Sequence, residues 1–254
     1  KVSKNSAGYY LWNVWNAKTG IFDLTKLIVG SQGTLGIVTE ATLKLVPVKK
    51  VSKLLVIFMP ALTGLGDVVN EILAAKPESV ESYDDQTMKM AMRFMPEMLR
   101  SMKASNFLKL MFSFLPETKM VLTGGIPKLI LLAEFAGNDA DALDTEISTL
   151  EKSMRQKFSS LKLKTRPIRS AADAEKYWTI RRESFNLLRK HVRGMRTAPF
   201  IDDVVVPPET LPEFLPKMRE ILDKNKLVYT IAGHAGNGNF HIIPLVDPKN
   251  PKVA

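Results

Sequence analysis

The sequence predicts an α+β protein in which helices pack on one side of an antiparallel sheet. Three observations carry that expectation. Short apolar runs rich in Val, Ile and Leu alternate with longer stretches of helical periodicity. Gly, Pro and Asn punctuate the boundaries. The last strands flank Gly233-His234-Ala235-Gly236-Asn237-Gly238-Asn239-Phe240-His241, which holds two of the three histidines. With 254 residues, 45% of them hydrophobic and 24% charged, the chain can bury a real core in one large domain or two smaller ones.

Residues 1–50 read as the end of one structural unit, and 51–254 as a second. In the first, Gly30-Ser31-Gln32-Gly33-Thr34-Leu35-Gly36 places three glycines in seven positions. Such a loop is either a tight turn or a place where backbone N–H groups approach a phosphate. Residues 37–46 alternate as a strand does, and Pro47 closes them. In the second unit, strands are expected at 53–58, 80–84, 128–135, 161–165 and 200–206. Helices are expected at 64–75, 140–157, 171–190 and 209–224.

The helix at 171–190 has Ser170 as its expected N-cap and Asp173 in its first turn. Its apolar stripe runs Ala174, Trp178, Phe185, Leu188, and helical stepping places Arg181 inside that stripe. A charge on a core-facing surface must meet a partner. One candidate is an internal salt bridge to Asp202 or Asp203; the other is a ligand carboxylate, which suits the guanidinium fork.

Asn237-Gly238 has the composition of a two-residue type I′ hairpin turn. That register sets His234 directly opposite His241, with Cβ atoms about 5 Å apart. Two imidazoles so placed are half of a zinc or iron site, or else two structural histidines in a Gly-rich hairpin. The small residues between them would let a ligand approach the backbone.

The chain has no cysteine, which removes disulfides, thiolate metal sites and a cysteine nucleophile. Its net charge of +10 is spread along the whole length without a helix-turn-helix, zinc-finger or RNA-binding signature, so no nucleic-acid partner is expected. Eight of twelve methionines fall between Met88 and Met120, among lysines and arginines and cut by Pro96 and Pro116. Such pieces suit either peripheral contact with a membrane surface or a cap helix over a pocket. No apolar run reaches the roughly 18 residues of a membrane span. The expected setting is cytoplasmic, peripheral on the inner membrane face, and the chain reads as a piece of a longer protein.

Several stretches together resemble the FAD-linked 2-hydroxy acid dehydrogenases of the vanillyl-alcohol-oxidase flavin fold. That group comprises D-lactate dehydrogenases, glycolate oxidase flavoprotein subunits and D-2-hydroxyglutarate dehydrogenases. Lys4-Asn5-Ser6-Ala7-Gly8-Tyr9-Tyr10-Leu11 and residues 27–39 resemble the late part of the family's FAD-binding domain, where Glu or Gln is usual at the place of Gln32. Residues 233–241 resemble its Gly-His-x-Gly-Asp-Gly-Asn-x-His element, with Asn237 in place of Asp. Trp178-Thr179-Ile180-Arg181-Arg182-Glu183 resembles its Trp-x-x-Arg-Glu helix, and Asp203-Val204-Val205-Val206-Pro207 a following strand.

The resemblance implies the C-terminal end of a flavin domain followed by a ferredoxin-like antiparallel-sheet substrate (cap) domain. It implies FAD held in part by Gly30, Ser31, Gln32, Gly33, Thr34, Gly36 and Ile37, and a divalent metal (zinc, iron or manganese) on His234 and His241. Arg181 and Asn239 would bind the substrate, a small 2-hydroxy acid, and a quinone or electron-transfer protein would accept the electrons. The family's third metal ligand is a glutamate of a Glu-His-Gly element downstream, and no such element occurs up to Ala254. Ile201 and Ile243 stand where the hydroxyglutarate branch has lysine and asparagine, which implies a smaller or more apolar substrate of the D-lactate or glycolate type. The alternatives are a non-catalytic cap module and an FAD-dependent ether-lipid (alkyl-glycerone-phosphate) synthase.

Overall fold

The computed structural model describes residues 2, 4, 5, 8–94, 115–191, 194–198, 203–247 and 249. A two-stranded ribbon, β1 (Trp15–Asn16) and β2 (Ile21–Phe22), and the one-turn α1 (Thr25–Ile28) come first. Then follow β3 (Val51–Met59), α2 (Leu65–Ala74), β4 (Ser79–Asp84), α3 (Asp85–Arg93), α4 (Leu115–Gly124), β5 (Leu129–Gly137) and α5 (Ala140–Lys157). The chain continues through β6 (Lys164–Ile168), α6 (Ala171–His191), β7 (Arg196–Thr197), β8 (Asp203–Val205), α7 (Leu211–Lys224), β9 (Val228–His234) and β10 (Asn239–Val246).

All pairings in the main sheet are antiparallel, in the order β6-β3-β5-β4-β9-β10-β7, with β8 also on β10. Helices cover both faces, not one. Leu55, Ile57, Met59, Leu131 and Phe135 pack under α2, α5 and α7. Leu54, Val56, Phe58, Ile130, Leu132 and Tyr83 pack under α3 and α6. The sequence carried that signal: Leu54–Met59 and Leu129–Ala133 are continuous apolar runs, which a strand needs only when both of its faces are buried.

Local chemistry explains the helices. In α2, Leu65, Val68, Val69 and Ile72 recur at helical spacing and are all buried. Asp139 accepts hydrogen bonds from the N–H groups of Asp141 and Ala142 at 2.9 and 3.2 Å, starting α5. Ser170 caps α6 as expected, accepting from Asp173 N–H at 3.1 Å while its hydroxyl donates to the Asp173 carboxylate at 3.0 Å. Of the expected stripe, the side chains of Phe185 and Leu188 lie outside those described, and over residues 171–183 the buried face is centred beside it. Tyr177 and Ile180 lie in the core, while Ala174 and Trp178 sit at its margin.

Two further expectations are corrected. Residues 37–46 form no strand, because their backbone finds no ladder partner among the described residues, and Ile37, Leu43 and Leu45 are exposed. The strand expected at 161–165 is shifted to β6, since residues 159–161 close a 3-10 turn whose following residue, Lys162, has φ of 53°. Most of the Met-rich region (95–114) lies outside the described residues. Among those described, no helix is long and apolar enough to cross a membrane.

Beneath α6 lies a buried ion cluster. Glu117 of α4 accepts hydrogen bonds from Arg166 of β6 and from the Tyr177 hydroxyl, and Lys176 stands 3.1 Å from its Oε1. Lys176 is wholly buried, and desolvation lowers its pKa against the pull of Glu117. A second cluster ties α7 to the end of β4, where Arg219 bonds Asp84 at 3.1 Å and Asp85 at 2.9 Å. Burial pushes the Asp84 carboxyl up to about 6.

Candidate functional site

Each histidine of the Gly-rich motif faces a carboxylate across adjacent strands. Ser82 pairs with Gly233, so one step along the same register Glu81 of β4 stands opposite His234 of β9. His241 of β10 pairs directly with Asp203 of β8. Glu81 Oε1 lies 2.6 Å from His234 Nδ1, and Asp203 Oδ1 lies 3.6 Å from His241 Nδ1. The two imidazoles meet edge to face, with centroids 5.2 Å apart and planes at 87°.

The hairpin reaches this arrangement by another route than the expected turn. Residues 235–237 form a 3-10 turn, and only Gly238 of the Asn237-Gly238 pair has positive φ, at 64°. A type I′ turn needs positive φ at both positions. The resulting register pairs His234 with Asn239 and His241 with Ala232, two positions from the expected pairing. A slip of two preserves the strand's side-chain parity, so both histidines still share one face, as diagonal neighbours.

The motif's glycines serve the chain itself rather than leaving space for a ligand. A Cβ on Gly233 would lie 2.2 Å from the Asn239 carbonyl oxygen, and one on Gly238 only 1.8 Å from that of Val206. Gly238 accepts from Val206 N–H at 3.0 Å, which pins the segment after β8 against the hairpin. Gly238→Ala therefore combines a left-handed backbone with a backbone collision, and is expected to cost more than about 2 kcal/mol. Gly33→Ala, at φ of 77° with open space around it, should cost only about 1 kcal/mol. Urea unfolding of both variants measures the difference; equal costs would show that the approach to Val206 is not a constraint.

Arg181 donates from Nε to Glu81 Oε2 at 2.8 Å. Its salt-bridge partner is thus Glu81, not Asp203; the other expected partner, Asp202, lies outside the described residues. Glu81 was missed in the sequence, although a carboxylate inside a central strand is as anomalous as an arginine inside an apolar stripe. Asn239 is fully buried: its Nδ2 donates to Asp203 and, at 3.1 Å, to the Val204 carbonyl, while its Oδ1 accepts from Lys4 at 2.5 Å. Lys4 thus ties the first segment to the histidine hairpin.

A cavity of about 630 Å³, within the range of small-molecule and cofactor sites, lies over the first segment and reaches Asp203, while His234, His241 and Arg181 are not among its lining residues. Gly30, Ser31, Gln32 and Thr34 line it, with Tyr9, Tyr10, Asn13 and Lys26, and Asp203 closes it on the histidine side. Gly33, Gly36 and Ile37 are not among the lining residues, and Ile37 is 92% exposed. Gly30, Gln32 and Gly33 all have positive φ, and nothing lies within 4 Å of a Cβ built on Gly30, Gly33 or Gly36. The loop is a bent backbone with open space over it, which fits a bound cofactor.

The family of FAD linked oxidases, C-terminal domain, matches residues 48–254, and the chain belongs to it. Relatives include a D-2-hydroxyglutarate dehydrogenase of Pseudomonas putida, 28% identical over the whole of this chain and 24% of its own length. The glycolate oxidase subunit GlcD of Bacillus subtilis is 26% identical over 98% of this chain and 44% of its own length. The chain thus spans about a quarter of the length of the first and under half of the second. Among solved structures, an alkyldihydroxyacetonephosphate synthase superposes with a TM-score of 0.58 at 13% identity, covering 91% of this chain and 43% of that one, a likeness of fold alone.

The two imidazoles, 5.2 Å apart between centroids, would supply at most half of a divalent ion's coordination shell. A carboxylate on Nδ1 is the usual outer partner of a metal-bound imidazole and sets Nε2 as the ligating atom. Among the described residues, no group of three or more His, Asp or Glu side chains is arranged to hold a metal.

Proposed function

We propose that the chain is the substrate-side part of an FAD-dependent dehydrogenase that oxidises a small 2-hydroxy acid to its 2-oxo acid. The observation that carries this is the pair of histidines, each facing a carboxylate, one of which (Asp203) also lines the cavity over the loop at 30–34, in a chain of the FAD-linked oxidase family. When bound, FAD supplies the hydride acceptor and a divalent ion supplies Lewis acidity toward the substrate hydroxyl. His234 and His241 would hold the ion, with Glu81 bonded to Nδ1 of His234 and Asp203 at ion-pair distance from that of His241. Arg181 would supply the counter-charge for the substrate carboxylate, and Glu81 joins it to His234 by accepting from Arg181 on one oxygen and facing His234 on the other. Asn239, expected to bind the substrate, is fully buried with its amide held by Asp203, Val204 and Lys4, so its part here is to brace Asp203.

A small or apolar substrate is favoured by Ile243, two positions from His241 on the same face of β10, where a second carboxylate would need a cation. The relatives include enzymes named for hydroxyglutarate, lactate and glycolate, so the substrate itself is the point to test. The protein with its natural ends, loaded with FAD, is mixed anaerobically with D-lactate, glycolate or D-2-hydroxyglutarate, and flavin bleaching is followed. Bleaching by a monocarboxylic acid at least about tenfold faster than by the dicarboxylate is expected. Preference for the dicarboxylate would overturn the substrate assignment, and bound flavin that no hydroxy acid reduces would overturn the dehydrogenase.

A further inference from the structure

We infer that Glu81 is a positioning residue that joins the Arg181 guanidinium to the protonation pattern of His234. It sits in β4, between β5 and β9 in the middle of the sheet, and is 9% exposed. A carboxylate there is tolerated only when its oxygens are matched by donors. The two oxygens are divided between two elements: Oε2 accepts from Arg181 Nε of α6 at 2.8 Å, and Oε1 faces His234 Nδ1 of β9 at 2.6 Å. Because each oxygen has its own donor, Arg181 and His234 do not compete for Glu81. A carboxylate can only accept at Oε1, so a neutral His234 carries its proton on Nδ1 and keeps its lone pair on Nε2.

The partner histidine is held less tightly. Asp203 lies 3.6 Å from His241 Nδ1, at ion-pair but not hydrogen-bond distance, and the same oxygen accepts from Asn239. Glu81 is therefore the stronger of the two determinants. It also connects the site's two tasks, since an anion drawn to Arg181 competes for the guanidinium with the carboxylate that orients His234. The inference rests on the reading of His234 as a metal ligand, and two readouts separate the two claims.

The discriminating substitution is Glu81→Gln. A neutral amide has one oxygen, and the Arg181 cation requires it; the NH2 group is then turned toward His234 Nδ1. Nδ1 must accept, and the proton moves to Nε2. The tautomer of His234 is thus expected to invert, from Nδ1–H in the parent to Nε2–H in Glu81→Gln. It is read from the 15N shifts of histidine-labelled protein above the imidazole titration range, with His241 as the internal control. Glu81→Asp keeps the charge and should retain the Nδ1–H form. In parallel, Zn²⁺ titration should bind about 10–100-fold more weakly to Glu81→Gln than to the parent.

An Nε2–H His234 in the parent chain would overturn the inference outright, whether or not the variant folds. An unchanged tautomer in a folded Glu81→Gln would do the same. If the tautomer inverts but the parent binds no Zn²⁺, the role of Glu81 stands and the metal reading fails. If the parent binds Zn²⁺ and the tautomer does not respond, the metal reading stands and this inference fails.

Discussion

Glu117→Ala is expected to destabilise the protein by about 3–5 kcal/mol, because it removes a shared carboxylate from the buried Lys176 and the half-buried Arg166. Glu117 is 4% exposed and is the common acceptor for Arg166, Tyr177 and Lys176. Without it, Lys176 keeps an ammonium in a site where desolvation already disfavours the charge, and the Tyr177 hydroxyl loses its acceptor. Glu117 also ties α4 to both α6 and β6, so the loss should loosen that helix first. Glu117→Ala combined with Lys176→Met should recover a sizeable part of the loss, since removing both members of a buried pair costs less than removing one. Urea unfolding of the two variants measures this. A double variant no more stable than the single one would show that packing around Glu117, not stranded charge, sets the cost.

The architecture was readable wherever a segment's own pattern decided its state. Leu65, Val68, Val69 and Ile72 specify a helix without help from the rest of the chain, and Ser170 marks a start that the capping bond reproduces. Residues 37–46 show the limit of that reasoning. Alternation states which side chains could share a face, but a strand also needs a partner backbone, which no local pattern supplies. The second helical layer was encoded in the unbroken apolar runs of β3 and β5 and went unread.

The site was legible in the same uneven way. Gly-His…Asn-x-His placed both histidines on one face despite the wrong turn, because a register error of two conserves parity. Arg181 was noticed as a charge in an apolar stripe, but its partner lay a hundred residues earlier, in a strand read only for its apolar positions. Glu81 and Arg181 are two charges each in need of a partner, and that shared need is the sequence signal that links them. Lys4 offered no such signal: an exposed-looking lysine in an irregular segment acquires its role only when the fold brings it to Asn239.

The two histidines should fail differently when removed. His241→Ala is expected to lower substrate-dependent flavin reduction by more than about 100-fold with little change in stability, in the protein with its natural ends and its FAD. Asp203 is partly exposed and remains held by Asn239, so no buried charge is left behind. His234→Ala should abolish turnover to the same extent and in addition cost about 1–3 kcal/mol of stability. It removes the donor on Glu81 Oε1 while Glu81 stays enclosed against Arg181. Thermal unfolding and single-turnover flavin reduction on both variants read the two effects separately. Turnover that survives in both would remove the histidines from the chemistry and leave them as cross-strand partners of Glu81 and Asp203. Equal loss of turnover with equal stability would keep them in the chemistry and show that Glu81 does not depend on His234 for its burial, in which case Arg181 alone must balance that carboxylate.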